Sequence, residues 1–220
     1  MRKIIAATFV SLDGVMQAPG GPEEDPTGGF EFGGWSVPLF DNVLGETIGD
    51  VFAGPFDLLL GRKTYDIFAA HWPHAENTED ADIARAFNKA TKYVASRSTS
   101  SFDWANTKWL GPDAVASLKE IKAGNGPDLV VQGSSDFLQT LLGHGLVDEL
   151  RLLTFPVLLG HGKRLFGDGI APASLELVGS KSTPNGAVVS IYRPAGPVQT
   201  GSFALPEPTE AERERRASLA

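Results

Sequence analysis

Residues 129–166 read LVVQGSSDFLQTLLGHGLVDELRLLTFPVLLGHGKRLF, and their pattern decides the fold. Leu129–Gln132 is a short apolar run of strand character. Gly133-Ser134-Ser135 follow it and open a helix through Leu142. Asp148–Leu158 is a second strand-like run, interrupted by Pro156. A strand, a helix and another strand in that order imply a right-handed crossover and parallel pairing.

The same alternation extends upstream. Residues 3–10 (KIIAATFV) read as a buried strand, and residues 13–35 as a long Gly-, Pro- and acid-rich loop of the kind that serves as a lid. Pro38 starts a helix ending near Gly54-Pro55. Strands are expected over Phe56–Leu60, Lys92–Ala95 and Lys108–Leu110, and helices over Lys63–Ala70, Asp80–Lys89 and Asp113–Ala123. Downstream, Leu175–Ser182 and Ala187–Tyr192 flank Pro184-Asn185-Gly186, a hairpin signature. The expected fold is a three-layer α/β/α domain over residues 1–196, with a mostly parallel central sheet and a C-terminal antiparallel hairpin. Residues 197–220 read as an extension, loose or packed on a partner subunit, with Thr209 and Glu212 capping a short helix.

Bulk composition narrows the function classes. With 220 residues and 42% hydrophobic content, the chain can bury one good core. A formal net charge of −8 argues against general nucleic-acid binding. The absence of cysteine removes disulfides, thiolate zinc sites and a cysteine nucleophile. The N-terminal apolar run is too short for a signal segment, and no run approaches the ~18 apolar residues of a span. A cytoplasmic location is the expectation, with no membrane partner.

In an open α/β sheet, ligands bind at the carboxyl ends of the strands. Three expected strands end there in small or cationic residues: Gly61-Arg62-Lys63-Thr64, Ser96-Arg97-Ser98-Thr99 and Gly133-Ser134-Ser135. One glycine after a strand is ordinarily just a turn. Three such junctions at one edge could hold the phosphates of a dinucleotide. Arg97 between two serines suits a terminal 2′-phosphate, which favours NADP over NAD; taken alone, it reads as an ordinary surface arginine. Gly160-His161-Gly162-Lys163-Arg164 is either another anion loop or a solvated turn. His71 and His74 lack a third ligand, so no metal is expected. Asp13 is either an Asx turn before Gly14 or a carboxyl that orients substrate and relays a proton. Asp41 reads first as helix N-terminal stabilisation. Tyr65 and Phe155 read first as core aromatics that also reach a pocket. Hydrolase elbow, P-loop and GxGxxG spacings are absent.

The pieces SLDGVMQAP, GGWSVP, LLLGRKTYDIF, KYVASRS and the long stretch quoted first run in order over residues 3–193. Together they resemble the dihydrofolate-reductase-like superfamily, nearest its riboflavin-biosynthesis reductase-domain branch. The resemblance implies an NADPH-dependent reductase of a pyrimidine or pteridine, such as a 5-amino-6-ribosylaminouracil phosphate; the alternative is a nucleotide- or flavin-binding protein without turnover. It implies that Ala7 and Thr8 line the nicotinamide. Arg62, Lys63 and Thr64 would face phosphates, Ser96 and Arg97 (with Ser98) the 2′-phosphate, and Gly133, Ser134 and Ser135 the pyrophosphate. Trp35 would belong to the lid, and a homodimer is implied. Two departures matter. In Trp-x-x-Pro-x-Asp the Asp slot holds Phe40, and the acid is Asp41, turned by about 100° on a helix. The Gly-Gly pair of the cofactor loop is Gly133-Ser134.

Overall fold

The computed structural model describes residues 1–98, 101–167 and 170–219. Thr99, at the end of the polar stretch read above, and Ala220, the last residue of the extension, lie outside the described residues. Among the described residues there are eight strands: β1 (Ile4–Ser11), β2 (Phe56–Gly61), β3 (Lys92–Ala95), β4 (Thr107–Trp109), β5 (Asp128–Val131), β6 (Glu149–Phe155), β7 (Leu175–Ser182) and β8 (Val188–Pro194). The helices are α1 (Asn42–Phe52), α2 (Arg62–His71), α3 (Ala81–Lys89), α4 (Ala114–Ala123), α5 (Ser135–Gly143) and α6 (Glu210–Ala217).

All eight strands form one sheet in the order β4-β3-β2-β5-β1-β6-β8-β7. Pairing is parallel from β4 to β6 and antiparallel for β6–β8 and β8–β7. Strand alternation builds the three layers. On β2, Leu59 packs with Leu118 of α4 and Leu138 of α5, while Leu58 and Leu60 pack with Tyr65 of α2 and Phe87 of α3. On β6, Leu150 joins the α4–α5 side, and Leu153 and Phe155 join Leu44 of α1.

Local chemistry accounts for several boundaries. Pro156 follows the last residue of β6, where a missing N–H costs no ladder bond. The β7–β8 turn closes through Gly186 N–H to Thr183 O at 3.0 Å, with Gly186 at φ 87°. The helix expected to begin at Pro38 instead divides. Val37–Leu39 is a 3₁₀ turn, and α1 starts after Asp41, whose Oδ1 accepts from Leu44 N–H. In the C-terminal extension, α6 has no buried residue, and Thr209 caps it by accepting from Glu212 N–H. Among the described residues, no helix is long and apolar enough to cross a membrane.

Candidate active site at the carboxyl edge of the sheet

Neighbouring strands β2 and β5 both turn into helices at their carboxyl ends, and the two junctions interlock. Gly61 N–H donates to Gly133 O at 3.0 Å. A Cβ at Gly61 would lie 2.8 Å from Ser134 N and closer still to Ser134 Oγ. A Cβ at Gly133 would lie 2.5 Å from Thr64 Oγ1. Only glycine fits either position without displacing the other junction. The Gly133–Ser134 peptide is cis.

The result is two helix N-termini side by side. The N-cap residues, Gly61 for α2 and Ser134 for α5, make no side-chain cap hydrogen bond. By contrast, Asp41, Asp113 and Thr209 cap α1, α4 and α6. No side-chain cap therefore takes the first-turn N–H groups of Lys63 and Thr64 in α2 or of Ser135 and Asp136 in α5, at the positive ends of two helix dipoles. α3 also lacks a side-chain cap, and its N-cap is the acid Asp80.

These junctions open onto a cavity of about 690 Å³. Ala7, Thr8 and Phe9 of β1 form its floor, with Lys63, Thr64 and Gln132–Asp136 beside them. Residues from Met16 to Asp25 supply a wall from the long loop. The far end is apolar: Ile48 and Phe52 of α1, Ile67, Phe68 and His71 of α2, Trp72 after it, and Ile83 and Phe87 of α3, with Phe40. Their rings touch one another. Phe52–Phe87 and Trp72–Phe87 centroids are 4.9 Å apart, and Phe68 stacks on Phe87 at 5.9 Å and 21°.

The loop is held by a charged cluster at the end where α2 and α5 begin. Asp25, only 6% exposed, accepts from Lys163 Nζ at 2.5 Å, Lys63 Nζ at 3.0 Å and Thr27 Oγ1 at 2.6 Å. Burial pushes this carboxyl up, but the hydrogen bonds from Lys163, Thr27 and Lys63 outweigh it and hold its pKa at about 2. Gln17 spans the same loop. Its amide donates to Asp25 O and Thr27 O, and its Oε1 accepts from Lys163 N–H. Trp35 Nε1–H in turn donates to Gln17 O at 2.8 Å. Glu24, also on the cavity wall, is pushed up by burial against a hydrogen bond from Gly20 N–H.

Of the residues expected from the sequence, Ala7, Thr8, Lys63, Thr64, Gly133, Ser134 and Ser135 meet on this cavity. The others lie elsewhere. Asp13 accepts from Ser11 Oγ, Leu159 N–H and Gly160 N–H, with Arg164 3.5 Å away. Burial raises this carboxyl, but those hydrogen bonds hold it at about 2, so Asp13 carries no proton to relay near neutrality. It clamps the 157–164 loop to the end of β1. Both oxygens of Asp41 are used, one by the α1 cap and one by Asn185 N–H of the β7–β8 turn. Phe155, fully buried, packs edge-on against Phe9 and Trp35. Tyr65 is buried against Phe102, and its hydroxyl accepts from Trp104 N–H. Arg62 pairs with Asp66 and lies over Phe102, on a separate recess of about 420 Å³ that Tyr65 and His74 also line.

Ser96, Arg97 and Ser98 lie at the same sheet edge, one strand further out. Ser96 Oγ donates to Ser98 O, and Arg97 is exposed. The two cations of Gly160–Arg164 point inward: Lys163 to Asp25, and Arg164 to Asp13 O and Gly160 O. Sequence reasoning missed Asp25, Glu24 and the aromatic end, and named Lys163 only within a loop that was either anion-binding or a solvated turn. The run Pro22-Glu23-Glu24-Asp25-Pro26 does signal acids confined to a loop, but not their partner 138 residues away.

Comparison with known proteins adds a family. The RibD C-terminal domain model matches residues 2–189. The uncharacterized protein YyaP of Bacillus subtilis (strain 168) is 28% identical over 193 residues, covering 87% of this chain and 94% of that protein. A putative riboflavin biosynthesis protein from Shewanella superimposes with TM-score 0.58 at 19% identity, covering 89% of this chain and 99% of that one. A dihydrofolate reductase from Enterococcus faecalis, complexed with NADP(H) and RAB-propyl, superimposes with TM-score 0.53 at 13% identity over 87% of this chain and 96% of that one. These superpositions show the fold, which is dihydrofolate-reductase-like.

Proposed function

The chain belongs to the RibD C-terminal domain family, and on that premise we propose that it is an NADPH-dependent reductase of a small heterocyclic compound. One observation carries the reading. Two helix N-termini without side-chain caps, locked together through Gly61 and Gly133, open with Lys63 and Thr64 onto a single cavity. Such N–H groups suit an anionic pyrophosphate. The donor set fits the cofactor: the first turns of α2 and α5, with Lys63 and Thr64, would hold its phosphates. Arg97, exposed at the end of β3, would take the 2′-phosphate. NADPH bound here would supply a hydride to an electron-poor ring carbon, with a proton from solvent completing the reduction. The chain's part is to orient the ring over Ala7 and Thr8 and to exclude water with the Met16–Asp25 wall.

Calorimetric titration of NADPH, with NADH alongside, tests the reading. Wild type should bind NADPH more tightly than NADH. Arg97→Ala should weaken NADPH by ~10-fold or more and leave NADH unchanged. Binding of neither nucleotide would overturn the reductase reading and favour a ligand-binding protein on the same fold.

A further inference from the structure

We infer that the ring compound this cavity takes is planar, aromatic and free of any anionic group, a phosphate above all. The inference rests on the reading of the cavity as a reductase site, and it concerns the end away from the helix N-termini.

The cavity's charge is unevenly divided. Its two cations among the described lining residues are Lys63 and Lys163, and both are engaged by Asp25. Lys63 lies in the first turn of α2, and His71 ends the helix eight residues later, about 12 Å along the axis. At that second end the described lining has no lysine or arginine; His71 and Asp80 are its titratable groups. The wall there is Phe52, Phe68, Trp72 and Phe87, rings already in mutual edge and face contact. Lys92 lies behind that wall, not on it. Its Nζ is turned under α3 to donate to Phe87 O and Asn88 O.

A phosphate dianion placed among these rings would lose its hydration, find no lysine or arginine and face the Asp80 carboxylate. A flat uncharged ring loses nothing comparable and gains stacking and edge contacts. A phosphorylated ribosylaminopyrimidine therefore fits this end poorly, because its ring and its phosphate ask for opposite surroundings.

A matched pair of probes isolates the phosphate: riboflavin and riboflavin 5′-phosphate, which share one ring system. Flavin fluorescence is titrated with the full chain, with and without saturating NADP⁺. Riboflavin should bind at least ~10-fold more tightly than its phosphate. Ile83→Lys, which adds a cation to the aromatic end, should abolish or reverse that preference, while Ile83→Met retains it. Phosphate-bearing flavin binding as tightly as riboflavin to the wild type, or no binding of either flavin, overturns the inference. If NADP⁺ itself fails to bind, the reductase reading falls, and the flavin comparison without nucleotide still decides the ring class.

Discussion

The two ends of the cavity are built by opposite rules. At the helix N-termini, backbone makes the surface, and the fit has no slack. The junctions at Gly61 and Gly133 touch neighbours that a single Cβ would displace. At the far end, side chains make the surface. Phe52, Phe68, Trp72 and Phe87 come from three segments and meet through ring contacts that can be repacked. A backbone-built site recognises what every phosphate shares; a side-chain-built site can change its ligand by substitution alone. The first end should therefore be intolerant of change and the second permissive.

The sharpest way to break that contrast is Gly61→Ala. The new Cβ meets the backbone nitrogen of Ser134, which no truncation can remove. Loss of about 3 kcal/mol in urea unfolding is expected, the upper range for overpacking. Gly133→Ala meets the Thr64 hydroxyl instead, so adding Thr64→Ala should recover most of its loss. A neutral Gly61→Ala would mean that the junctions can separate, and the contrast would fail.

A smaller effect tests the charged cluster. The Asp25 carboxyl is held at about 2, below the usual aspartate value of 3.8. A depressed carboxyl stabilises the fold above its unfolded value, and that stability is lost as pH falls from about 4 towards 2. Asp25→Asn should cost about 1–2 kcal/mol at pH 7, the partial exposure of both lysines trimming the figure. The gap from wild type should close as unfolding is repeated at pH 4, 3 and 2. A gap constant with pH would show that Asp25 acts by shape and not by charge.

The same contrast governs what could be read in advance. Strand ends followed by Gly-Arg-Lys-Thr or Gly-Ser-Ser are local syntax, so the two strand-to-helix junctions were legible, although Arg62 turns to a separate recess. The strand read through to Leu158 instead ends at Phe155, before Pro156; the turn at Asn185-Gly186, dictated by the chemistry of two residues, was legible. The aromatic end was not. Phe68 and Phe87 stand at helical spacing, and that pattern is identical for a core face and a cavity wall. Nor could spacing pair Asp25 with Lys163, since their contact depends on how a long loop folds back. Asp13 shows the converse: a carboxyl past a strand end looks catalytic until its hydrogen bonds are counted.

The smallest predicted effect lies behind the aromatic wall. Lys92 is fully buried, its Nζ 4.3 Å from the Trp104 ring centroid and bonded to the last carbonyls of α3. Burial pushes its pKa down to about 8 from 10.5, despite the Asp57 carboxylate nearby. Between those two values the unfolded chain binds more protons than the folded one, so stability rises with pH. The gain between pH 7.5 and 9 should be about 1 kcal/mol, read as the urea midpoint of wild type against Lys92→Met, in which this rise is absent. The sign carries the argument. A rise means that the folded state pays to keep this ammonium beneath the wall at neutral pH, as an apolar surface demands. A fall would mean that α3's carbonyls and the Trp104 face more than replace its hydration. The aromatic end would then be able to shelter charge, and the exclusion of phosphate from it would weaken accordingly.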